Sequence, residues 1–205
     1  MTCVAITFDD GYLRHYEYAK LLHRMDVPGT FFVITGLTEY VGEKLLTTRP
    51  ELVRELTDMG HEVGSHTHTH RDLTRLSPEE VRVEFERSIE TLREMLRNDY
   101  EFGIAYPYGS FNNHVINEAS RFFAYGRVMG SFNKWNEKPM KYALGGMGIR
   151  HLIKYPIKAI TNKPKLINVV LHDEPTQLIK LTINYLRTFN IRFVTMKEGL
   201  KCLGL

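Results

Sequence analysis

Residues 3–11 read CVAITFDDG: a β-prone apolar run from Cys3 to Phe8 that stops at Asp9, Asp10 and Gly11. Residues 12–25 then carry helix-like spacing, and Gly29 to Ile34 (GTFFVI) has the pattern of a second buried strand. Strand, polar turn, helix, strand is one β-α-β unit, and the rest of the chain repeats it. Residues 50–59 predict a helix with Pro50 in its first turn, Leu52, Leu56 and Met59 on one face, and Gly60 beyond its end. Glu62 to His66 predicts a third strand. Ser77-Pro78-Glu79-Glu80 opens the clearest helix, with a capping box and an apolar stripe of Val81, Phe85, Ile89, Leu92 and Leu96. Phe102–Tyr106, Leu166–Leu171 and Arg192–Thr195 predict strands, and Asn112–Phe122, residues 175–189 and the tail predict helices. Between them, Gly126, Gly130, Gly145, Gly146 and Gly148 point to loops around one or two strands.

Repeated β-α units imply a parallel sheet flanked by helices, because parallel neighbours need helical crossovers. Periodicity does not decide between an open sheet and a closed barrel, but in both, ligands bind beyond the C-terminal strand ends. No repeat, low-complexity tract or linker divides the 205 residues, so one domain over 1–205 is expected. With 43% hydrophobic and 25% charged residues, the composition excludes disordered and fibrous classes. A net charge of +3, spread along the chain, gives no reason to expect a nucleic-acid partner. Cys3 and Cys202 lie near opposite ends without CxxC spacing, which excludes a cysteine zinc site; two small thiols are expected, although the ends of a sheet or barrel do often meet. The start of the chain has no basic or long apolar leader and no run reaches membrane-spanning length, so a cytoplasmic location without a transmembrane segment is expected.

Three polar clusters fall at predicted strand ends. Asp9 and Asp10 follow the first strand, where like charges that close raise each other's pKa. Gly64-Ser65-His66-Thr67-His68-Thr69-His70 follows the third; His66 and His70, four apart, come together if the segment turns helically. A cation bound there would want a carboxylate as well, and Asp10 or Asp9 is the natural donor. His172 closes the strand that ends at Leu171, and by itself reads as a structural histidine or helix cap. Together the clusters make a hydrolytic set: a metal to activate water and polarise a carbonyl, a carboxylate to take the proton, and an imidazole to protonate the leaving group. His61 is expected on a surface turn; His114 and His151 carry no pattern, and Lys163-Pro164-Lys165 reads as an exposed turn.

The order of these motifs resembles the polysaccharide deacetylase family, the NodB-homology domain. Thr7-Phe8-Asp9-Asp10-Gly11 is similar to its first motif, and His66-Thr67-His68-Thr69-His70 to its H-[ST]-x-x-H second motif. Ala105-Tyr106-Pro107-Tyr108-Gly109 resembles the third, and Val170-Leu171-His172 the fifth. The resemblance implies a distorted (β/α)7 barrel and metal-dependent removal of an N-acyl group from an amino sugar or glycan. It puts Asp9 in the position of the base and His172 in that of the acid. Asp10, His66 and His70 become the metal ligands, with His61 and His68 as bystanders, and the Tyr108 backbone helps to hold the oxyanion, with Tyr106 and Pro107 beside it. Zinc suits two imidazoles and a carboxylate; cobalt, nickel or manganese would also fit.

The sequence departs from the family twice. The third motif normally begins with an arginine that steadies the base, and here Ala105 stands there. The fourth motif, an aspartate with a tryptophan, has no clear counterpart; Arg127 and Trp135 are the nearby candidates. Another cation, Arg127 or Arg150, is expected to replace the missing arginine. Tyr106, Tyr108, Phe111 and Trp135 are candidates for lining a sugar cleft. Two other readings stand beside deacetylation: a deformylase or amidase acting on a nucleotide- or lipid-linked amino sugar, and a glycan-binding relic that has lost activity. Retention of Asp9 argues against the relic, because a pure binder needs no base beside the metal.

Overall fold

The computed structural model describes residues 1–97, 100–130, 139–150 and 164–205. Trp135, His151 and Lys163 lie outside the described residues. In chain order the elements are β1 (Thr2–Phe8), α1 (His15–Arg24), β2 (Gly29–Val33), β3 (Glu39–Tyr40), β4 (Glu43–Lys44) and α2 (Pro50–Asp58). There follow β5 (Glu62–Ser65), α3 (Pro78–Leu96), β6 (Ile104–Ala105), α4 (Asn113–Phe122), β7 (Gly126–Met129) and β8 (Leu144–Gly148). The chain ends with β9 (Leu166–Leu171), α5 (Thr176–Leu186), β10 (Ile191–Val194) and α6 (Met196–Leu203).

The strands β1, β2, β5, β6, β7, β8 and β9 pair in parallel, and β9 pairs again with β1, so the sheet closes into a barrel. The barrel is distorted at β1, whose Thr2–Ala5 half pairs with β10 while Ile6–Phe8 pairs with β2. All seven residues of β1 are buried, as a strand covered on both faces requires. Alternation still sorts them: Val4, Ile6 and Phe8 join the core beneath the helices, whereas Ala5 joins an inner cluster with Phe32, Ala105 and Leu144. The inward row of β1 therefore runs Ala5, Thr7 and on to Asp9.

The capping box at Ser77 and Glu80 is formed, and the expected stripe of α3 is buried. A second capping box, Thr195 with Glu198, starts α6, and Met196 and Leu200 carry that helix into the inner cluster. Three expectations are corrected. Gly126, Gly145, Gly146 and Gly148 lie inside β7 and β8 rather than in loops; at two of them neighbours fill the space a side chain would need, a Cβ on Gly126 sitting 2.4 Å from the Tyr106 hydroxyl and one on Gly146 sitting 2.6 Å from Val170. His61 is buried, its Nδ1 accepting from the Gly29 N–H at 3.0 Å and its Nε2 donating to the Ala19 carbonyl at 3.0 Å, so it ties α1 to β2. Cys3 and Cys202 are joined as a disulfide, because α6 returns the tail to the start of β1. No helix among the described residues is long and apolar enough to cross a membrane.

Candidate active site

Register explains how distant residues meet. Phe8 pairs with Leu171 on β9, and the Asp9 N–H donates to the Leu171 carbonyl at 3.0 Å, so Asp9 and His172 leave their strands side by side. His172 Nε2 stands 3.7 Å from Asp9 Oδ2. Asp10 continues with φ 71°, a left-handed conformation that turns its carboxylate back over the barrel mouth instead of out toward the helices. Gly11, at φ 74°, completes that turn against Val33, leaving no room for a side chain.

The histidine segment does not turn helically. Thr67 and His70 both adopt positive φ, and the loop is held by Glu84 of α3, whose carboxylate accepts from the His68 N–H at 3.0 Å, the Thr69 N–H at 2.8 Å and the Thr69 hydroxyl. The resulting fold of the loop still brings the two imidazoles together, with His66 Nε2 and His70 Nε2 3.2 Å apart. Asp10 Oδ1 lies 3.4 Å from the first and 3.5 Å from the second. All three side chains are buried. A tetrahedral ion about 2.0–2.1 Å from each donor requires donor spacings of about 3.3–3.4 Å, so this donor set fits a divalent metal. His66 Nδ1 donates to the Ala105 carbonyl at 2.8 Å, which leaves the Nε2 lone pair pointing at the cluster. His68 is elsewhere, with Nδ1 against the Thr35 hydroxyl.

Arg127 answers the Ala105 departure. The two residues are direct register partners on β6 and β7, so moving the arginine one strand over keeps it on the same inward face. Arg127 is fully buried, passes over the Phe32 ring and donates through Nη2 to Asp9 Oδ1. Arg150 is exposed. Burial alone would raise the Asp9 carboxyl, but the Arg127 guanidinium, with the His66 and His172 imidazoles, outweighs it and holds the pKa below the usual carboxylate value. Asp10 is likewise held low, its burial being offset chiefly by its hydrogen bond and attraction to His66 and by the Tyr12 hydroxyl. The paired charges keep both acids ionised.

His172 is fixed through its backbone. The buried His15 Nε2 donates to its carbonyl at 2.6 Å, and its own N–H donates to Glu174 Oε2 at 2.7 Å. His172 is partly exposed in a pocket of about 180 Å3 that also includes Asp9, Asp10, His66, His70, Tyr40, Tyr106, Tyr108, Gly109 and Met129. Tyr106 is buried with its hydroxyl on the Tyr142 carbonyl, while Tyr108 stands exposed at φ 60°. Pro107 is buried in the turn between them, and Phe111 stacks on Tyr106 outside the pocket. Sequence reasoning missed Tyr12, His15, Tyr40, Glu84 and Met129. Of these, Tyr12 alone had a local signal, being next to the Asp-Asp-Gly turn.

The profile of the family described as polysaccharide deacetylase matches residues 1–124. The peptidoglycan-N-acetylmuramic acid deacetylase of Bacillus subtilis is 30% identical over 151 residues, covering 70% of this chain and 54% of that protein. A chitooligosaccharide deacetylase of Bradyrhizobium sp. is 33% identical over 172 residues, 83% of this chain and 70% of that protein. The chain spans 54% and 52% of the length of two of the curated relatives it matches. In three dimensions, the Xyl-CE4 domain of a multidomain xylanase from the hindgut metagenome of Trinervitermes trinervoides superposes with a TM-score of 0.71 at 22% identity, over 100% of this chain and 92% of that one. That likeness confirms the distorted (β/α)7 barrel. The profile match over residues 1–124, more than half of its length, places this chain in the polysaccharide deacetylase family.

Proposed function

We propose that the chain is a metal-dependent hydrolase that removes the N-acetyl group of an amino sugar or glycan. The observation that carries this reading is the juxtaposition of a three-donor cluster, Asp10, His66 and His70, with a second carboxylate, Asp9, held by a buried arginine. A divalent ion bound by the cluster, zinc by its donor set, would supply Lewis-acid polarisation of the acyl oxygen and a more acidic water. Arg127 fixes Asp9 Oδ1, which leaves Oδ2 to take the proton of the attacking water. His172 Nε2, near that oxygen, delivers a proton to the amide nitrogen as its bond to the acyl carbon breaks, releasing acetate and the free amine. We assign the Tyr108 backbone to the acyl oxygen, with Tyr106 and Pro107 shaping its turn.

The names of the relatives, deacetylases of peptidoglycan N-acetylmuramic acid and of chitooligosaccharides, support N-acylated amino sugars as the substrate class. The Arg127–Asp9 pair supports an enzyme over a binding relic, since a buried charge pair dedicated to one base has no use in a binder. The test is metal analysis of the purified chain, followed by acetate release from N-acetylglucosamine oligomers. Wild type should release acetate and Asp9→Asn should not, while Asp9→Asn retains the metal. Metal without acyl release from any amino sugar offered would overturn the reading.

A further inference from the structure

A metal-binding imidazole is ordinarily held at its second nitrogen by a hydrogen bond, which sets both tautomer and ring angle. His66 obeys this through the Ala105 carbonyl. His70 does not: its Nδ1 is buried and has no hydrogen-bond partner among the described residues. Its ring is instead packed against two tyrosines. Tyr40 lies 4.5 Å away, centroid to centroid, at an interplanar angle of 59°, and Tyr108 lies 4.8 Å away at 61°. They come from separate parts of the fold, the β3–β4 hairpin and the turn after β6.

Both are placed by an unusual backbone. Tyr108 itself has φ 60°, and Val41, next to Tyr40 at the hairpin tip, has φ 49°, which a β-branched residue rarely adopts. The hairpin is also anchored to the segment that carries Asp10: the Leu46 N–H donates to the Gly11 carbonyl and the Leu13 N–H to the Lys44 carbonyl, each at 2.8 Å. The hairpin that carries Tyr40 is thus tied to the turn that carries Asp10.

We propose that Tyr40 is a positioning residue for the metal centre: it holds the His70 imidazole by ring packing in place of the missing hydrogen bond. The inference rests on the reading of Asp10, His66 and His70 as the metal site. Tilted and edge contacts suit this task because aromatic pairs prefer particular ring angles and so restrict rotation about χ2.

The experiment is binding of zinc and of cobalt, each alone, to the metal-free chain, with zinc affinity from chelator competition and cobalt geometry from its visible absorption. Tyr40→Ala should weaken zinc about 10–100-fold, the range seen when outer-shell support of a ligand is lost, and alter the cobalt spectrum. Tyr40→Phe, which keeps the ring, should stay within about threefold of wild type, well below that range. Tyr40→Leu, apolar but not flat, should behave like Tyr40→Ala and takes its place if the alanine variant does not fold. Wild-type affinity and spectrum in Tyr40→Ala or Tyr40→Leu would overturn the proposal while leaving the metal site standing. Failure of the wild-type chain to bind either ion would overturn the site reading, and this proposal with it.

Discussion

Arg127 shows most sharply how a single side chain sets the ionisation of its neighbour, Asp9. Its guanidinium is the nearest compensation for a carboxylate that is otherwise sealed from water, and Gly146 keeps its path open, since a Cβ there would meet Val170 at 2.6 Å and the Arg127 stem at 3.3 Å. Replacing it by methionine keeps most of the volume and removes the charge. Asp9 is then left with burial as the dominant influence, so its pKa rises. The ionised base is lost at a higher pH than in wild type, and the acid limb of the deacetylation profile should move upward. A buried charge without its partner costs about 3–5 kcal/mol, which urea unfolding of Arg127→Met at neutral pH should show. An unmoved acid limb would mean that Arg127 does not tune the base. The sequence left Arg127 and Arg150 as alternatives; strand register favours Arg127, which lies beside Ala105 on the next strand and reaches Asp9, whereas Arg150 is exposed.

At the scale of elements, α3 does more than cover the barrel. Its apolar stripe, legible from spacing, fixes how the helix sits, and Glu84 then falls on the side that meets the histidine loop. Its buried carboxylate takes the backbone N–H groups of His68 and Thr69, which have no other way to be satisfied in that turn. Glu84→Ala should therefore cost about 1–3 kcal/mol in stability, the penalty for buried donors left unpaired. It should also weaken zinc binding, because His66 and His70 lose the frame between them; calorimetric titration of the metal-free variant checks this. Unchanged zinc affinity would separate the loop's support from its ligand geometry. The β3–β4 hairpin marks the limit of what the sequence shows at this scale. Two strands of two residues each carry no periodicity, so Tyr40 could not be linked to the site from sequence alone.

Across the whole molecule, the two ends of the chain are brought together by β1, β10 and α6. The Cys3–Cys202 disulfide seals that closure across a sequence separation of 199 residues. Constraining so long a loop in the unfolded chain is worth about 5 kcal/mol in the loop-entropy description. Reduction, or Cys202→Ser, should lower the urea midpoint by a corresponding amount while leaving the zinc affinity of the folded chain close to wild type, because the disulfide lies at the opposite end of β1 from Asp9. Equal midpoints with and without reductant would remove the disulfide from the stability account.

The sequence by itself determined the alternation of strands and helices, the parallel sheet and the placement of three polar clusters at strand ends. Those features are local: hydrophobic period, capping and turn chemistry act over a few residues and leave their marks in the order of the chain. Which residues face one another was decided by tertiary structure. Barrel closure set Leu171 beside Phe8 and Ala105 beside Arg127, and so brought His172 and Arg127 to Asp9. The left-handed backbone at Asp10 and His70, and the aromatic bracket around His70, arise from contacts between segments far apart in sequence. Register and closure are properties of paired strands, and a single strand read alone does not carry its partner's alignment.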